Sequence, residues 1–293
     1  PDIAHFVTIK PVLYGGITSR FLNIHKKIFS ISGLGFIFIK QGFKATFIRL
    51  VIKLMYKFAL GGKRSHVIVQ NPDDQEVVNS MVKVPITLIR GSGVDLRQYE
   101  YIKENNENIK VSMACRLLKD KGIFEYIEAA KIFSQRVQST RKQKLSNVEF
   151  ELYGDIDIHN PASLTNDDIE KIKKDGFVNV YGFSSDIAKV FSASNIIVLP
   201  SYREGLPKVL IEAAACGRAV VTTDVPGCRD AIEPNVTGLL CKVKNSKSLA
   251  NMIEKLIIDQ NIRNSMGKEG RKLAEQEFDI NKVVEKHFDI YRG

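Results

Sequence analysis

Glu204 and Glu212 are the two side chains whose type and spacing suggest chemistry, with seven residues between them in SYREGLPKVLIEAAACG at 201–217. Glu204 falls in a Gly-Pro turn and Glu212 inside the short helix that follows. A carboxylate placed before a helix can reach over its amino end, where free N–H groups form an anion site. An anion on the amides of Gly205, Leu206 and Lys208, with the two glutamates holding hydroxyls beside it, suits a sugar nucleotide. Phosphates would sit on the helix end, ribose on one glutamate and hexose on the other.

The elements that must position these groups are legible. NIIVLP at 195–200 is a short apolar run closed by proline and reads as a buried strand, and RAVVTT at 218–223 reads as the next. Pro207 suits the first helical turn, where a missing N–H costs nothing, and Gly217 suits the stop. Strand, loop, helix and strand make the repeating unit of a parallel sheet. Alone, the two glutamates would read as one acid favouring the helix macrodipole and another on its surface. Context reverses that reading. A strand ending in Pro-Ser, then Glu-Gly-x-Pro, then Glu-Ala-x-Ala-x-Gly, resembles the motif of the retaining GT-B glycosyltransferases known as group 1. The match continues through Val225-Pro226-Gly227 and Asn235-Val236-Thr237-Gly238.

The resemblance implies an α/β fold of two Rossmann-like parallel-sheet domains facing a cleft, and further site residues. Arg116 and Lys121, in CRLLKDKG at 115–122, match the arginine and lysine that hold the donor diphosphate, with Cys115 replacing the usual glycine. Two fixed cations would stabilise the charge that grows on a diphosphate leaving group. Glu212 is expected to hold the ribose and Glu204 the donor hydroxyls, with Gly182-Phe183 beside the base. On the acceptor side, strand ends in α/β sheets favour Thr8 and Lys10 over His5, whose alternative is a strand histidine. Lys10 and His5 join Glu204 as catalytic candidates, and Gly33 and Gly35 are candidates for close backbone approach. Asp155-Ile156-Asp157 reads as a polar loop near the nucleotide rather than a metal site. No metal and no other cofactor is expected.

The net charge of +10 is concentrated at the start: before Asp73 there is one acid, Asp2, against eleven Lys and Arg, and thereafter acids and bases balance. Such asymmetry points to a polyanionic partner. Residues 41–61 carry Lys44, Arg49, Lys53 and Lys57 among apolar residues and no acid, so the stretch 40–64 is expected to lie on the anionic inner-membrane surface. It also looks like the corresponding helix of enzymes adding N-acetylhexosamines to undecaprenyl-diphosphate-linked sugars. The first 72 residues lack the stacking platform or helix-turn-helix of a nucleic-acid binder. The four cysteines show no paired spacing, which suits a reducing compartment.

The expected organisation is residues 1–99 as part of an acceptor-side domain, 100–109 as a linker, 110–280 as the donor domain and 281–293 as a helix returning to the first. Against the family pattern the first domain reads as incomplete at its amino end. The implied reaction moves a hexose or N-acetylhexosamine from a UDP-sugar to an undecaprenyl-diphosphate-linked glycan, on the cytoplasmic face of the inner membrane. The rivals are a UDP-sugar epimerase of similar fold and a fragment that only binds nucleotide.

Overall fold

Alternating apolar residues build the first sheet. In the computed structural model, which describes residues 1–34, 43–105, 107–140 and 147–293, the chain forms two units. The first comprises residues 1–93, Glu204–Leu206 and Ile280–Gly293, and the second comprises Val94–Arg203 and Pro207–Asp279. The break after Gly93 comes before the linker expected at 100–109, and residues 94–105 group with the second unit.

In the first unit, β1 (Ile3–Val7) leads into an irregular helical stretch, Pro11–Gly15, then α1 (Gly16–Thr18), then Ser19–Phe21. There follow β2 (Lys26–Ile31), α2 (Phe43–Leu60), β3 (Ser65–Val69), α3 (Pro72–Met81) and β4 (Ile86–Leu88). The four strands are parallel in the order β1-β2-β3-β4. Period two decides which side chains go where. Phe29, Ile31, Val67 and Val69 face a core completed by Tyr56, Leu60 and Val78 of α2 and α3. Ile28 and Ile68 face the other way. Asn71 starts α3 by accepting the Asp74 N–H at 2.8 Å, an N-cap that satisfies one orphan donor.

The second unit runs β5 (Ile109–Ala114), α4 (Ile123–Thr140), β6 (Val148–Tyr153), α5 (Asn166–Asp175), β7 (Asn179–Gly182), α6 (Ile187–Ala193), β8 (Ile196–Leu199), α7 (Lys208–Ala215), β9 (Ala219–Thr223), β10 (Gly238–Cys241), α8 (Ser246–Ile258) and α9 (Gln260–Leu273). Its six parallel strands lie in the order β10-β9-β8-β5-β6-β7. The central strand β8 is an unbroken Ile-Ile-Val-Leu and is buried throughout, as expected for a parallel strand covered on both faces. Cys216, Cys228 and Cys241 are buried free thiols, and Cys115 is partly buried.

After Asp279 the chain rejoins the first unit as α10 (Ile280–Arg292). Val283 and Ile290 of α10 cover Ile28, Ile68 and Ile89 on the second face of that sheet. Pro207 departs from its expected place. It is the N-cap of α7, with φ −72° and ψ 122°, and the helix begins at Lys208. An extended proline just outside the helix lets the amides of the first turn, from Lys208 onward, stand free of intrahelical partners.

Candidate active site

The second unit gathers its candidates at the carboxyl ends of β5 and β6, where ligands collect in parallel sheets. A cavity of about 460 Å³ is lined there by Arg116, Tyr153, Asp155, Asp157, Phe183 and Glu212, among others. Glu212 is held tightly. Its Oε1 accepts the Tyr99 hydroxyl at 2.7 Å and lies 3.2 Å from Lys208 Nζ, one turn back on α7. The carboxylate is almost entirely removed from water. Burial, then the Glu212 carboxylate, push the Tyr99 phenol well above its usual range, so Tyr99 stays protonated and donates. Two donors on one oxygen fix the carboxylate and leave Oε2 to accept ligand hydroxyls.

Arg116 stands on the loop after β5, about two-thirds exposed, 3.5 Å from Asp157 Oδ2. An exposed pair at that distance is weak, so the guanidinium can turn towards an incoming anion. Tyr153 stacks on Tyr181 with ring centroids 5.0 Å apart. Phe183 is exposed at the cavity and offers an aromatic face to a planar base.

Lys121 and Gly182 do not line this cavity. Lys121 ends the turn Lys119–Lys121. The Gly182 carbonyl accepts the Gly154 N–H at 2.8 Å. Asp155 and Asp157 do line the cavity, but among the described residues no group of three or more His, Cys, Asp or Glu could hold a metal ion.

The remaining candidates group with the first unit. Glu204, Gly205 and Leu206 belong to it, and the Gly205 carbonyl accepts Asn71 Nδ2 at 2.9 Å. Thr8 follows β1 with φ 71°, an uncommon conformation for threonine. Lys10 is exposed at the start of the helical stretch. Gly33 has φ 122°. Gly35 lies outside the described residues.

His5 sits in mid-strand rather than at the strand's carboxyl end. Its ring bonds Ser30 Oγ at 2.6 Å and the Tyr291 hydroxyl at 2.8 Å, and lies 6.2 Å from the His287 ring. Burial, then His287, hold the His5 imidazole below the usual histidine value of 6.5. The folded chain therefore prefers neutral His5. Between that lowered value and 6.5 the unfolded chain binds more protons, so stability rises with pH there. Melting temperature should fall as the pH drops through 6.5, and His5→Gln should flatten that slope. An unchanged slope in the variant would show that His5 titrates as freely folded as unfolded.

Sequence reading missed Tyr99, Tyr153 and Gly154. Only Gly154 carried a local signal, as a glycine directly after an apolar strand.

Two Rossmann-like parallel-sheet units, one with a polar and aromatic cavity at its strand ends, define a GT-B glycosyltransferase. The fold is supported by sucrose-phosphate synthase from Thermosynechococcus elongatus, with TM-score 0.82 and 21% identity over 99% of this chain and 73% of that one. The glycosyl transferases group 1 family matches residues 98–273, and the chain belongs to that family. It is 29% identical, over 99% of its length and 76% of the relative, to the N,N'-diacetylbacillosaminyl-diphospho-undecaprenol alpha-1,3-N-acetylgalactosaminyltransferase of Campylobacter jejuni. It is 24% identical, over 99% of its length and 75% of the relative, to the UDP-Gal:alpha-D-GlcNAc-diphosphoundecaprenol alpha-1,3-galactosyltransferase of Escherichia coli.

Proposed function

We propose that this glycosyltransferase moves a hexose or N-acetylhexosamine from a UDP-sugar to a hydroxyl of an undecaprenyl-diphosphate-linked glycan, with retention at the anomeric carbon. The observation that carries the donor half is the buried Glu212, fixed by Tyr99 and Lys208 at a cavity that also holds Arg116 and Phe183. Its free oxygen suits ribose hydroxyls, Arg116 suits the diphosphate and Phe183 the uracil. The acceptor half is supported by both relatives, whose names specify undecaprenol-linked diphosphate sugars.

In this reading the bond from the sugar's anomeric carbon to the diphosphate oxygen breaks, and one to the acceptor oxygen forms on the same face. The departing phosphate takes the acceptor's proton. Arg116 and Lys121 stabilise the charge left on the diphosphate. Glu204 keeps the role the family motif implies, towards the donor's hydroxyls, and the amides of Gly205, Leu206 and Lys208 receive negative charge. Thr8, Lys10 and Gly33 belong to the acceptor side. No metal enters the scheme.

The test is calorimetric titration of the chain with UDP. Arg116→Ala should raise Kd about 30-fold, the loss expected for a charge-assisted phosphate contact. A folded chain that takes up no UDP would sink the donor assignment.

The same reading puts α2 on an anionic membrane surface of the cytoplasmic leaflet. Among the described residues no helix is long and apolar enough to cross a membrane. Ile48, Leu50, Leu54 and Phe58 of α2 are exposed, as are Phe21 and Leu22, and Lys53 and Lys57 lie among them in sequence. Exposed apolar residues with cations and no acid suit an interfacial helix. Leu54→Glu with Phe58→Glu should abolish flotation with phosphatidylglycerol vesicles. Equal flotation of the double variant would rule this surface out.

A further inference from the structure

At the amino-terminal ends of β2 and β3, Lys27 has a buried stem and an ammonium group that reaches solvent with no protein partner among the described residues. Lys27 is only 7% exposed. Its backbone N–H donates to the Arg64 carbonyl at 2.9 Å, but its Nζ makes no hydrogen bond or ion pair among the described residues. The charges acting on it are those of Arg20 and Arg64, both positive, and together with burial they lower its pKa. Beside it, Ser65 Oγ is buried and also has no partner.

These groups converge on one small space at Gly62. A Cβ placed on Gly62 would lie 3.1 Å from Ser65 Oγ, 3.4 Å from Lys27 Nζ and 3.7 Å from Arg20 Nη1. Arg20 is held in place from behind. Its Nε donates to the Phe58 carbonyl at 2.8 Å and its guanidinium lies 4.8 Å over the Phe58 ring. Arg20 and Arg64 are exposed, whereas Lys27, Gly62 and Ser65 are mostly buried as residues. A groove lined by Arg20, Lys57 and Lys83 adjoins this space.

An ordinary structural role explains part of this cluster. The carboxyl end of α2 attracts cations, and that accounts for Arg20. It does not account for Lys27, which lies in a strand and bonds no carbonyl with its side chain. Holding an ammonium near two like-charged guanidinium groups, beside a buried unbonded hydroxyl, is unfavourable unless an anion joins them. The anion must accept from several directions at once, which suits the oxygens of a phosphate better than a planar carboxylate.

We propose that Lys27, Arg20, Arg64 and Ser65 form a phosphate-binding site at the end of the first unit's sheet opposite its carboxyl strand ends. The site does not depend on the donor reading of the second unit. The same phosphate chemistry has two sources, a soluble phosphate or a phosphomonoester lipid headgroup, the second suggested by the exposed apolar residues near the end of α2.

The test titrates the chain with inorganic phosphate at constant ionic strength, followed by phosphorus NMR. Lys27→Met keeps the stem and removes the charge, and should weaken binding at least about tenfold. Ser65→Ala should weaken it about threefold and serves if the lysine variant fails to fold. Lys63→Met, which removes the same charge from an exposed neighbour, should leave the affinity unchanged. In a second arm, phosphatidylcholine vesicles are doped with phosphatidic acid. Retention that depends on Lys27 assigns the lipid headgroup, and soluble binding that depends on Lys27 without such retention assigns free phosphate. Equal affinity in the wild type, Lys27→Met and Ser65→Ala, or no binding dependent on Lys27 in either arm, overturns the proposal.

Discussion

Replacing Glu212 by alanine should lower kcat/KM for sugar transfer by about 100- to 1000-fold. Truncating one partner of a buried, hydrogen-bonded charged group costs about 2–5 kcal/mol, and each factor of ten in rate is about 1.4 kcal/mol. Glu212 fits that description, with Tyr99 and Lys208 both on Oε1 and its side chain nearly out of water. The variant removes the ribose contact and leaves the buried Tyr99 hydroxyl without its acceptor, so part of the loss could come through altered folding. Glu212→Gln separates the two effects. It keeps an oxygen for Tyr99 and the side-chain volume but removes the charge that draws Lys208. Its thermal melt should match the wild type while kcat/KM still falls at least about tenfold. Full activity in Glu212→Gln would remove the carboxylate from the donor site.

Gly154→Ala should destabilise the second unit by about 3–5 kcal/mol. Gly154 has φ 144°, and a Cβ there would lie 1.8 Å from the Cys115 carbonyl oxygen. Backbone stands on both sides of that contact, so no rotamer change relieves it. The clash would push apart the loops after β5 and β6, which carry Arg116 and Asp155. UDP affinity should therefore fall together with stability. Gly176→Ala is the control. It also has positive φ, 70°, but nothing lies within 4 Å of its Cβ, so it should cost only about 1 kcal/mol. Urea denaturation compares them. Equal costs would mean that conformation alone, not the close approach to Cys115, requires glycine at 154.

How far each site residue could be read depended on how far its partners lie along the chain. Lys208 and Glu212 are four residues apart, and helical periodicity alone places them on one face. Tyr99 reaches Glu212 from 113 residues away, and its own neighbourhood gave no signal. The sequence places 94–99 in the first domain and, because it is polar, 100–105 in a linker. The second unit claims both because Tyr99 finds a carboxylate there, and a buried Arg263 pairs with Glu104 at 2.9 Å. His5 shows the same limit in reverse. Its place in an apolar strand was legible, but Tyr291, 286 residues on, shares its hydrogen bonds.

By itself the sequence determined a parallel α/β unit, the run of strand, Gly-Pro turn and helix from 195 to 217, and the basic, apolar character of 43–60. These follow from composition and from periods of 2 and 3.6 residues, which are local properties. Only the tertiary structure decided that Tyr99 fixes Glu212, that Gly154 lets two strand-end loops touch, and that Lys27, Arg20 and Ser65 meet at Gly62. Parallel sheets bring together strand ends that are far apart in sequence, so the residues that meet there are set by packing and register rather than by spacing.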